Sequence, residues 1–80
     1  MLLPEQVRAW IAAGLECIHL TVEGDGQHFQ AVIVSDEFAG LSRVRRQQRV
    51  NALLKERFDS GELHALSMRT LTPDEWRQHG

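Results

Sequence analysis

Residues 61–76, GELHALSMRTLTPDEW, constrain the fold of this chain more strongly than any other segment. They combine a glycine suited to end a helix, an apolar run suited to a strand, and a Thr-Pro-Asp-Glu sequence suited to begin a new helix. Thr72 and Glu75 are expected to form the capping box of this last helix, which Trp76 anchors to the body. The residues before the segment, 43–60, have the apolar spacing of one long helix. The whole pattern predicts a strand–helix–strand crossover that joins parallel strands.

The first half of the chain changes from helical to strand-like periodicity. A short first helix is predicted after Pro4, and Gly14 is suited to end it. The sequence EGDGQ predicts a hairpin turn into a second strand over residues 28–35. The first strand precedes this turn. From Cys17 onward, apolar residues alternate with other residues, which predicts a half-buried strand with Ile18, Leu20 and Val22 on one side.

The predicted order of elements is therefore helix, strand, strand, helix, strand, helix. A hairpin followed by a crossover gives a three-stranded mixed sheet, so the predicted fold class is α+β. The third strand is rich in apolar residues, and we expect it to be covered on both faces. The chain has 80 residues, of which 42% are hydrophobic and 25% are charged, and this composition predicts one globular domain over residues 1–80.

Cysteine content and hydropathy exclude several classes of protein. The single cysteine, Cys17, excludes an internal disulfide and any metal site built from several cysteines of this chain. No apolar run reaches the length of a membrane span, and residues 1–14 lack the features of a signal peptide. We therefore expect a cytoplasmic protein that does not bind membranes. No spacing of serine, histidine and carboxylate residues suggests catalysis, so we do not expect an enzyme.

Basic residues cluster in one segment, although the formal net charge of the chain is −2. The predicted long helix carries four of them: Arg43, Arg45, Arg46 and Arg49. Two interpretations remain open for these arginines, a solvated helix face and a surface that contacts a partner or DNA. The overall charge balance disfavours nucleic acid as the main partner.

His64 is the unusual residue of the third strand, because the apolar residues Leu63, Ala65 and Leu66 surround it. It is either a structural histidine that bonds to a neighbouring backbone group or a ligand of a soft metal at the surface edge of the strand. In the second case, another molecule would complete the ligand set. His28 has a similar position at the start of the second strand.

Three blocks of this sequence resemble the BolA proteins: HFQAVIVSDEFAG, SRVRRQQRVNALL and LHALSMRTLTPDEW. Phe38, Gly40 and Arg46 are similar to the phenylalanine, glycine and arginine pattern of that family, and RRQQRV is most similar to its bacterial IbaG/YrbA branch. The resemblance implies a fold like a class II KH domain, in which three strands carry helices on one side. We expect Arg46, with Phe38 and Gly40, to shape the start of the long helix, where glycine permits a backbone conformation that other residues oppose.

The resemblance also implies a function. BolA-like proteins pair with monothiol glutaredoxins and, with glutathione, hold a 2Fe-2S cluster between the two chains. His64 falls at the family's C-terminal histidine, which ligates that cluster. We therefore expect a non-enzymatic adaptor in iron-sulfur cluster trafficking, assembly or iron homeostasis, with no cofactor in the isolated chain.

The second cluster ligand and the alternative function remain open. Family members with a cysteine in the first hairpin loop have it where this chain has Asp25, and a carboxylate is a poor ligand for an iron-sulfur iron. His28 is the other candidate. The alternative function is a DNA-binding transcriptional regulator of stress or morphology type, which would use the KH-like fold and the arginine-rich helix. The sequence also leaves open a homodimer and weak DNA binding.

Overall fold

The computed structural model describes residues 1–79, and its elements follow the predicted order except that the long helix is divided in two. A 3-10 turn, Asp36–Phe38, precedes the second helix. No helix in this part of the chain is both long and apolar enough to cross a lipid bilayer. The helices and strands are α1 (Pro4–Gly14), β1 (His19–Gly24), β2 (His28–Val34), α2 (Arg43–Leu53), α3 (Lys55–Asp59), β3 (Ala65–Leu71) and α4 (Pro73–His79).

The three strands form one mixed sheet in the order β1-β2-β3. β1 and β2 are antiparallel, with His19 opposite Val34. β2 and β3 are parallel, with His28 opposite Ala65, so the segment that contains α2 and α3 is the crossover between them. The predicted hairpin, crossover and α+β fold class are therefore confirmed, and β3 lies at one edge of the sheet.

Helices α1 and α2 pack against one face of the sheet and form the core with it. Alternate residues of each strand point into this core, because side chains alternate between the two faces of a sheet. Full burial of one large apolar side chain contributes about 1.5–3 kcal/mol to folding. The fully buried members of the core include Val7, Ile11, Phe29, Ile33, Phe38, Val50 and Leu54.

The opposite face of the sheet is open over much of its area. In β3 this face carries Ser67 and Arg69, which are both exposed. The expectation that β3 is covered on both faces is therefore wrong, since its side chains alternate and only Leu71 on this face is buried. Near that end of the sheet, Trp76 of α4 stacks on His19 of β1 with ring centroids 4.5 Å apart. This contact anchors α4 to the body of the protein.

The single helix predicted over residues 43–60 is divided into α2 and α3. At Leu54 the backbone leaves the α-helical region, with φ −106° and ψ 6°, and its N–H bonds to the Asn51 carbonyl at 3.1 Å. This tighter turn buries Leu54 completely. Periodicity did not show the break, because a tight turn of three residues keeps the apolar side chains close to helical spacing. Gly61 follows α3 with φ +81°, a left-handed conformation that glycine adopts without strain.

β1 begins at His19 rather than at Cys17. The sequence places Ile18 on the buried side of this strand, but in the structure it is 62% exposed. The chain bends at residue 18 as it enters the sheet, so the alternation of side chains starts one residue later. The Ile18 N–H nevertheless bonds to the Val34 carbonyl at 2.9 Å.

Candidate functional site

His64 lies directly before β3, at one edge of the sheet, rather than as the first residue of the strand. Its side chain is exposed, so water can satisfy the imidazole and no backbone partner is needed. This exposure disfavours the interpretation of His64 as a structural histidine bonded to a neighbouring backbone group. The imidazole borders a surface groove of about 590 Å³, whose other lining residues are Asn51, Lys55, Phe58, Asp59, Ala65 and Leu66.

Asp25 has a structural role in the hairpin between β1 and β2. Its Oδ1 accepts hydrogen bonds from the backbone N–H groups of Gln27 and His28, each at 2.9 Å. Both hydrogen bonds lower the pKa of the Asp25 carboxyl below its usual value, and the bond from the His28 N–H has the larger effect. Gly26 completes the turn with φ +99°. One carboxylate oxygen of Asp25 is thus already engaged by the turn, which reduces its availability to a metal.

His28 and His64 lie at the same end of the sheet but on different faces. In the parallel register of β2 and β3, His28 is opposite Ala65, and His64 directly precedes Ala65 in the chain. His28 is exposed and precedes the buried Phe29, which places His28 on the open face. His64 instead borders the groove formed with α2 and α3. The register thus brings the two histidines together along the backbone without placing their imidazoles on one face.

Cys17 lies at the other end of the sheet from His64. It precedes β1, whose first residue, His19, is opposite the last residue of β2. Burial is the largest cause that raises the pKa of the Cys17 thiol, and the charge of Glu37 adds to it. A thiolate is the form that binds metals, so position and protonation both disfavour Cys17 as a ligand. Among the side chains that the structure describes, no three of His, Cys, Asp or Glu are grouped so that they could hold a metal ion.

Arg46 differs from the other arginines of α2, because only 12% of its side chain is exposed. Its guanidinium donates from Nε to the Leu41 carbonyl at 3.0 Å and from Nη1 to the Thr70 carbonyl at 3.1 Å. Nη1 and Nη2 also donate to the two carboxylate oxygens of Glu75, at 2.7 and 3.3 Å. Arg46 is therefore not part of an exposed basic surface. It connects the start of α2 with the end of β3 and with α4.

The turn before α2 is fitted to this position of Arg46. Gly40 has φ +78°, a left-handed conformation that favours glycine. The Ser42 hydroxyl accepts a hydrogen bond from the Arg45 N–H at 3.2 Å and caps α2. The guanidinium carbon of Arg46 lies 5.9 Å from the centre of the Phe38 ring, which is itself fully buried. These contacts place Phe38, Gly40 and Arg46 around the start of α2.

Glu75 joins the same group of contacts to the capping box of α4. Its Oε1 accepts a hydrogen bond from the Thr72 N–H at 2.8 Å, and its own N–H donates to Thr72 Oγ1 at 3.2 Å. The predicted capping box is thus present. The hydrogen bond from the Arg46 side chain, followed by that from the Thr72 backbone, lowers the pKa of the Glu75 carboxyl from 4.5 to about 2. We refer to Arg46, Thr72 and Glu75 as the polar clamp.

The remaining arginines of α2 carry the exposed positive charge. Arg49 forms an ion pair with Glu37, and the Glu37 carboxylate also accepts a hydrogen bond from the Glu16 N–H at 2.8 Å. Arg43 and Arg45 are exposed and have no ion-pair partner among residues 1–79. Of the four arginines predicted to form this surface, only Arg43 and Arg45 have no acidic partner among residues 1–79. The sequence did not single out Arg69, because β3 was expected to be covered on both faces. In the structure Arg69 lies on the open face of β3 and is exposed.

The fold and these contacts define a small α+β domain with a three-stranded mixed sheet, and comparison with known proteins identifies its family. A family model described as BolA-like protein matches residues 11–75. The acid stress protein IbaG of Escherichia coli is 43% identical over 65 residues, which cover 81% of this chain and 75% of that protein. The chain belongs to the BolA family, as its sequence blocks indicated.

Two further comparisons support the fold and the family. The structure of a BolA protein homologue from Coxiella burnetii superposes with a TM-score of 0.83 at 36% sequence identity, covering 96% of this chain and 99% of that chain. The DNA-binding transcriptional regulator BolA of Haemophilus influenzae is 38% identical over 60 residues, which cover 75% of this chain and 57% of that protein. The first comparison confirms the three-stranded mixed sheet of the BolA fold.

Proposed function

We propose that this chain is a non-enzymatic adaptor that pairs with a monothiol glutaredoxin and shares a glutathione-ligated 2Fe-2S cluster with it. Membership of the BolA family supports this proposal. The observation that carries it is the exposed imidazole of His64 beside an open groove at the sheet edge. Imidazole is a suitable ligand for iron, and an exposed imidazole is accessible to a cluster held by another protein.

The residues of this chain suit a shared cluster. A 2Fe-2S cluster takes four protein ligands in its usual form, and His64 supplies one of them. Asp25 has one carboxylate oxygen engaged in the hairpin, and His28 lies on the other face of the sheet. We assign the remaining ligands to the glutaredoxin and to glutathione. His28 stays the alternative second ligand of this chain, because it lies at the same end of the sheet as His64.

The cluster is cargo in this proposal, and the process that it serves is cluster trafficking, cluster assembly or iron homeostasis. The polar clamp lies at the far end of β3 and leaves the groove at His64 free for a partner. The name of the Escherichia coli relative, acid stress protein, supports a role under stress conditions.

The test is to reconstitute the chain with a monothiol glutaredoxin, glutathione, iron and sulfide, and to record visible circular dichroism. We expect His64→Ala to bind the glutaredoxin without iron but to lose the spectrum of the mixed cluster, because the lining of the groove contains no other imidazole among the described residues. Asn51→Ala changes the same groove without removing a candidate ligand and is expected to keep the spectrum. An unchanged spectrum for His64→Ala would overturn the ligand role.

A parallel variant, His28→Ala, decides the second ligand. If His28 completes the cluster site, its loss should change the spectrum while the heterodimer still forms. If the partner supplies the other ligands, as proposed, His28→Ala should match the wild-type spectrum. Since the two histidines lie on different faces, we expect the second result.

A DNA-binding regulator is the second candidate function. The Haemophilus influenzae relative is described as a DNA-binding regulator, and Arg43 and Arg45 are exposed on α2. Because Arg46 belongs to the polar clamp and Arg49 pairs with Glu37, few charges remain to displace counterions from DNA. We expect weak, sequence-independent binding whose affinity falls with salt. Fluorescence anisotropy with a promoter fragment and a scrambled control tests this, and nanomolar binding to the promoter alone would favour the regulator.

A further inference from the structure

The outer edge of β3 is not covered by another strand. Along a strand, the peptide groups of successive residues point alternately to its two edges. The Leu71 carbonyl accepts a hydrogen bond from the Ser35 N–H at 3.0 Å and so faces β2. By alternation, the peptide groups of Leu66, Met68 and Thr70 face the outer edge. The hydrogen bond from Arg46 to the Thr70 carbonyl agrees with this direction.

This outer edge has free hydrogen-bonding groups along most of its length. Among residues 1–79, the N–H and carbonyl groups of Leu66 and Met68 and the N–H of Thr70 have no partner. The Thr70 carbonyl already accepts a hydrogen bond from Arg46, so the row of unpaired groups ends at the Thr70 N–H. An unpaired row of this kind at the edge of a sheet is a template for pairing with another extended segment.

The groove beside this edge has an excess of positive charge. It lies between the start of α2 and β3, and its lining includes Arg43, Met68 and Arg69. Arg43 and Arg69 are exposed and have no ion-pair partner within the described residues. Glu75 also borders the groove, but its carboxylate is already bonded to Arg46. The groove is therefore complementary to a negatively charged ligand, although the chain as a whole has a net charge of −2.

We propose that the outer edge of β3 binds an extended segment of a partner protein, with acidic side chains of that segment opposite Arg43 and Arg69. The segment would pair with the free groups of Leu66, Met68 and Thr70 and add a fourth strand to the sheet. This surface requires no iron and no ligand role for His64, so it is independent of the cluster proposal.

The spacing of the free groups favours a peptide over a nucleic acid. Outward-facing peptide groups recur every second residue, about 6.6–6.8 Å apart, which is the repeat of an adjoining strand. Single-stranded nucleic acids bind instead to continuous basic grooves with aromatic rings on which bases stack. The groove at β3 has two unpaired arginines, and its lining contains no aromatic side chain among the described residues.

The test uses the isotopically labelled chain and the peptide Ac-Glu-Val-Glu-Val-Glu-NH2 at low salt. We expect the amide signals of Leu66, Met68 and Thr70 to shift in nuclear magnetic resonance spectra and their hydrogen exchange to slow. Two matched peptides, N-methylated on one or the other set of alternate residues, separate strand pairing from charge attraction. At least one of them should fail to bind, because its methyl groups replace the N–H groups that face β3.

Protein variants test the contribution of Arg43 and Arg69 to peptide binding. The double variant Arg43→Ser with Arg69→Ser should weaken binding of the acidic peptide by about tenfold at low salt, since two exposed ion pairs are lost. Arg45→Ser removes an exposed charge of the same helix outside the groove and should bind like wild type. Binding of both N-methylated peptides as tightly as the unmethylated peptide, or shifts confined to other residues, would overturn the proposal. Tighter binding of a short oligothymidylate at the same amides would also overturn it, in favour of nucleic acid.

Discussion

The two ends of β3 use polar side chains in opposite ways. At its C-terminal end, the guanidinium of Arg46 is mostly buried and bonded to two carbonyls and to both carboxylate oxygens of Glu75. At its N-terminal end, His64 is exposed beside an open groove. The first arrangement holds three elements together, whereas the second leaves an imidazole accessible to a partner. The polar clamp and the proposed cluster ligand therefore lie at opposite ends of one strand, and mutations should separate stability from cluster binding.

The strongest test of this comparison is Arg46→Ala in the polar clamp. It removes four hydrogen bonds from a side chain that is only 12% exposed and leaves the Leu41 and Thr70 carbonyls without their donor. We expect the free energy of unfolding to fall by about 3 kcal/mol, as for the loss of one partner from a largely buried polar network. Urea unfolding monitored by far-ultraviolet circular dichroism measures the change.

Arg45→Ala is the matched control, because Arg45 is the neighbouring residue on α2 and is exposed without an ion-pair partner in residues 1–79. Its free energy of unfolding should change by less than about 0.5 kcal/mol. Equal losses for the two variants would show that the clamp does not stabilise the fold.

The turn before α2 should be the next most sensitive position. Gly40 is exposed with φ +78°, and a Cβ added there would meet no atom within 4 Å, so any cost of substitution arises from the backbone alone. We expect Gly40→Val to lower stability by about 1–2 kcal/mol, the cost of a left-handed conformation in a residue with a side chain. Thermal unfolding measures this effect.

Ala39→Val tests the cause, because Ala39 is also exposed but has an extended conformation with φ −60° and ψ 132°. It should unfold close to the wild-type temperature, while Gly40→Asn should fall between wild type and Gly40→Val, since asparagine tolerates the left-handed region. Unchanged unfolding of Gly40→Val, with loss of partner binding, would assign Gly40 to the interface instead.

The clamp should also be visible in the pH dependence of stability. The pKa of Glu75 is lowered from 4.5 to about 2 in the folded chain, so the unfolded state binds more protons between these values. The stabilisation that Glu75 provides is complete above about pH 4.5 and is lost as the pH falls towards about 2. Glu75→Gln should therefore be less stable than wild type at neutral pH, and the difference should shrink across this window. If the urea midpoints of wild type and Glu75→Gln changed with pH in parallel, the result would contradict the pairing of Glu75 with Arg46.

Only a small change in stability is expected at the N-terminal end of β3, where His64 lies. The His64 side chain is exposed, so His64→Ala should alter the free energy of unfolding by no more than about 1 kcal/mol. The same variant is expected to abolish the mixed cluster, which would place folding and ligation at different ends of the strand. A collapse of the thermal melt in His64→Ala would instead show that this histidine supports the fold.

Local patterns in the sequence predicted much of the fold. The Thr72–Glu75 capping box is present, and Gly61 follows α3, as their positions in the sequence indicate. These features depend on residues within a few positions of one another, so their spacing reports the backbone directly. The division of the long helix at Leu54 was missed, because the tight turn preserves the apolar pattern on both sides.

The candidate site was predicted only in part for a related reason. An isolated histidine before a strand marked His64, but its exposure depends on the open groove formed with α2 and α3. The arginine cluster did not show which members are paired. Arg46 and Glu75 are 29 positions apart, and nothing in the spacing of the sequence connects them.

The sequence by itself determined the order of helices and strands, the hairpin turn, the capping of α4 and the family of this chain. Tertiary structure alone decided that Arg46 is bonded to Glu75, that β3 has an open face, and that His28 and His64 lie on opposite sides of the sheet. The physical reason is the range of the interactions. Periodicity and capping act over a few residues, whereas strand register and ion pairing depend on where distant segments meet after the core has formed.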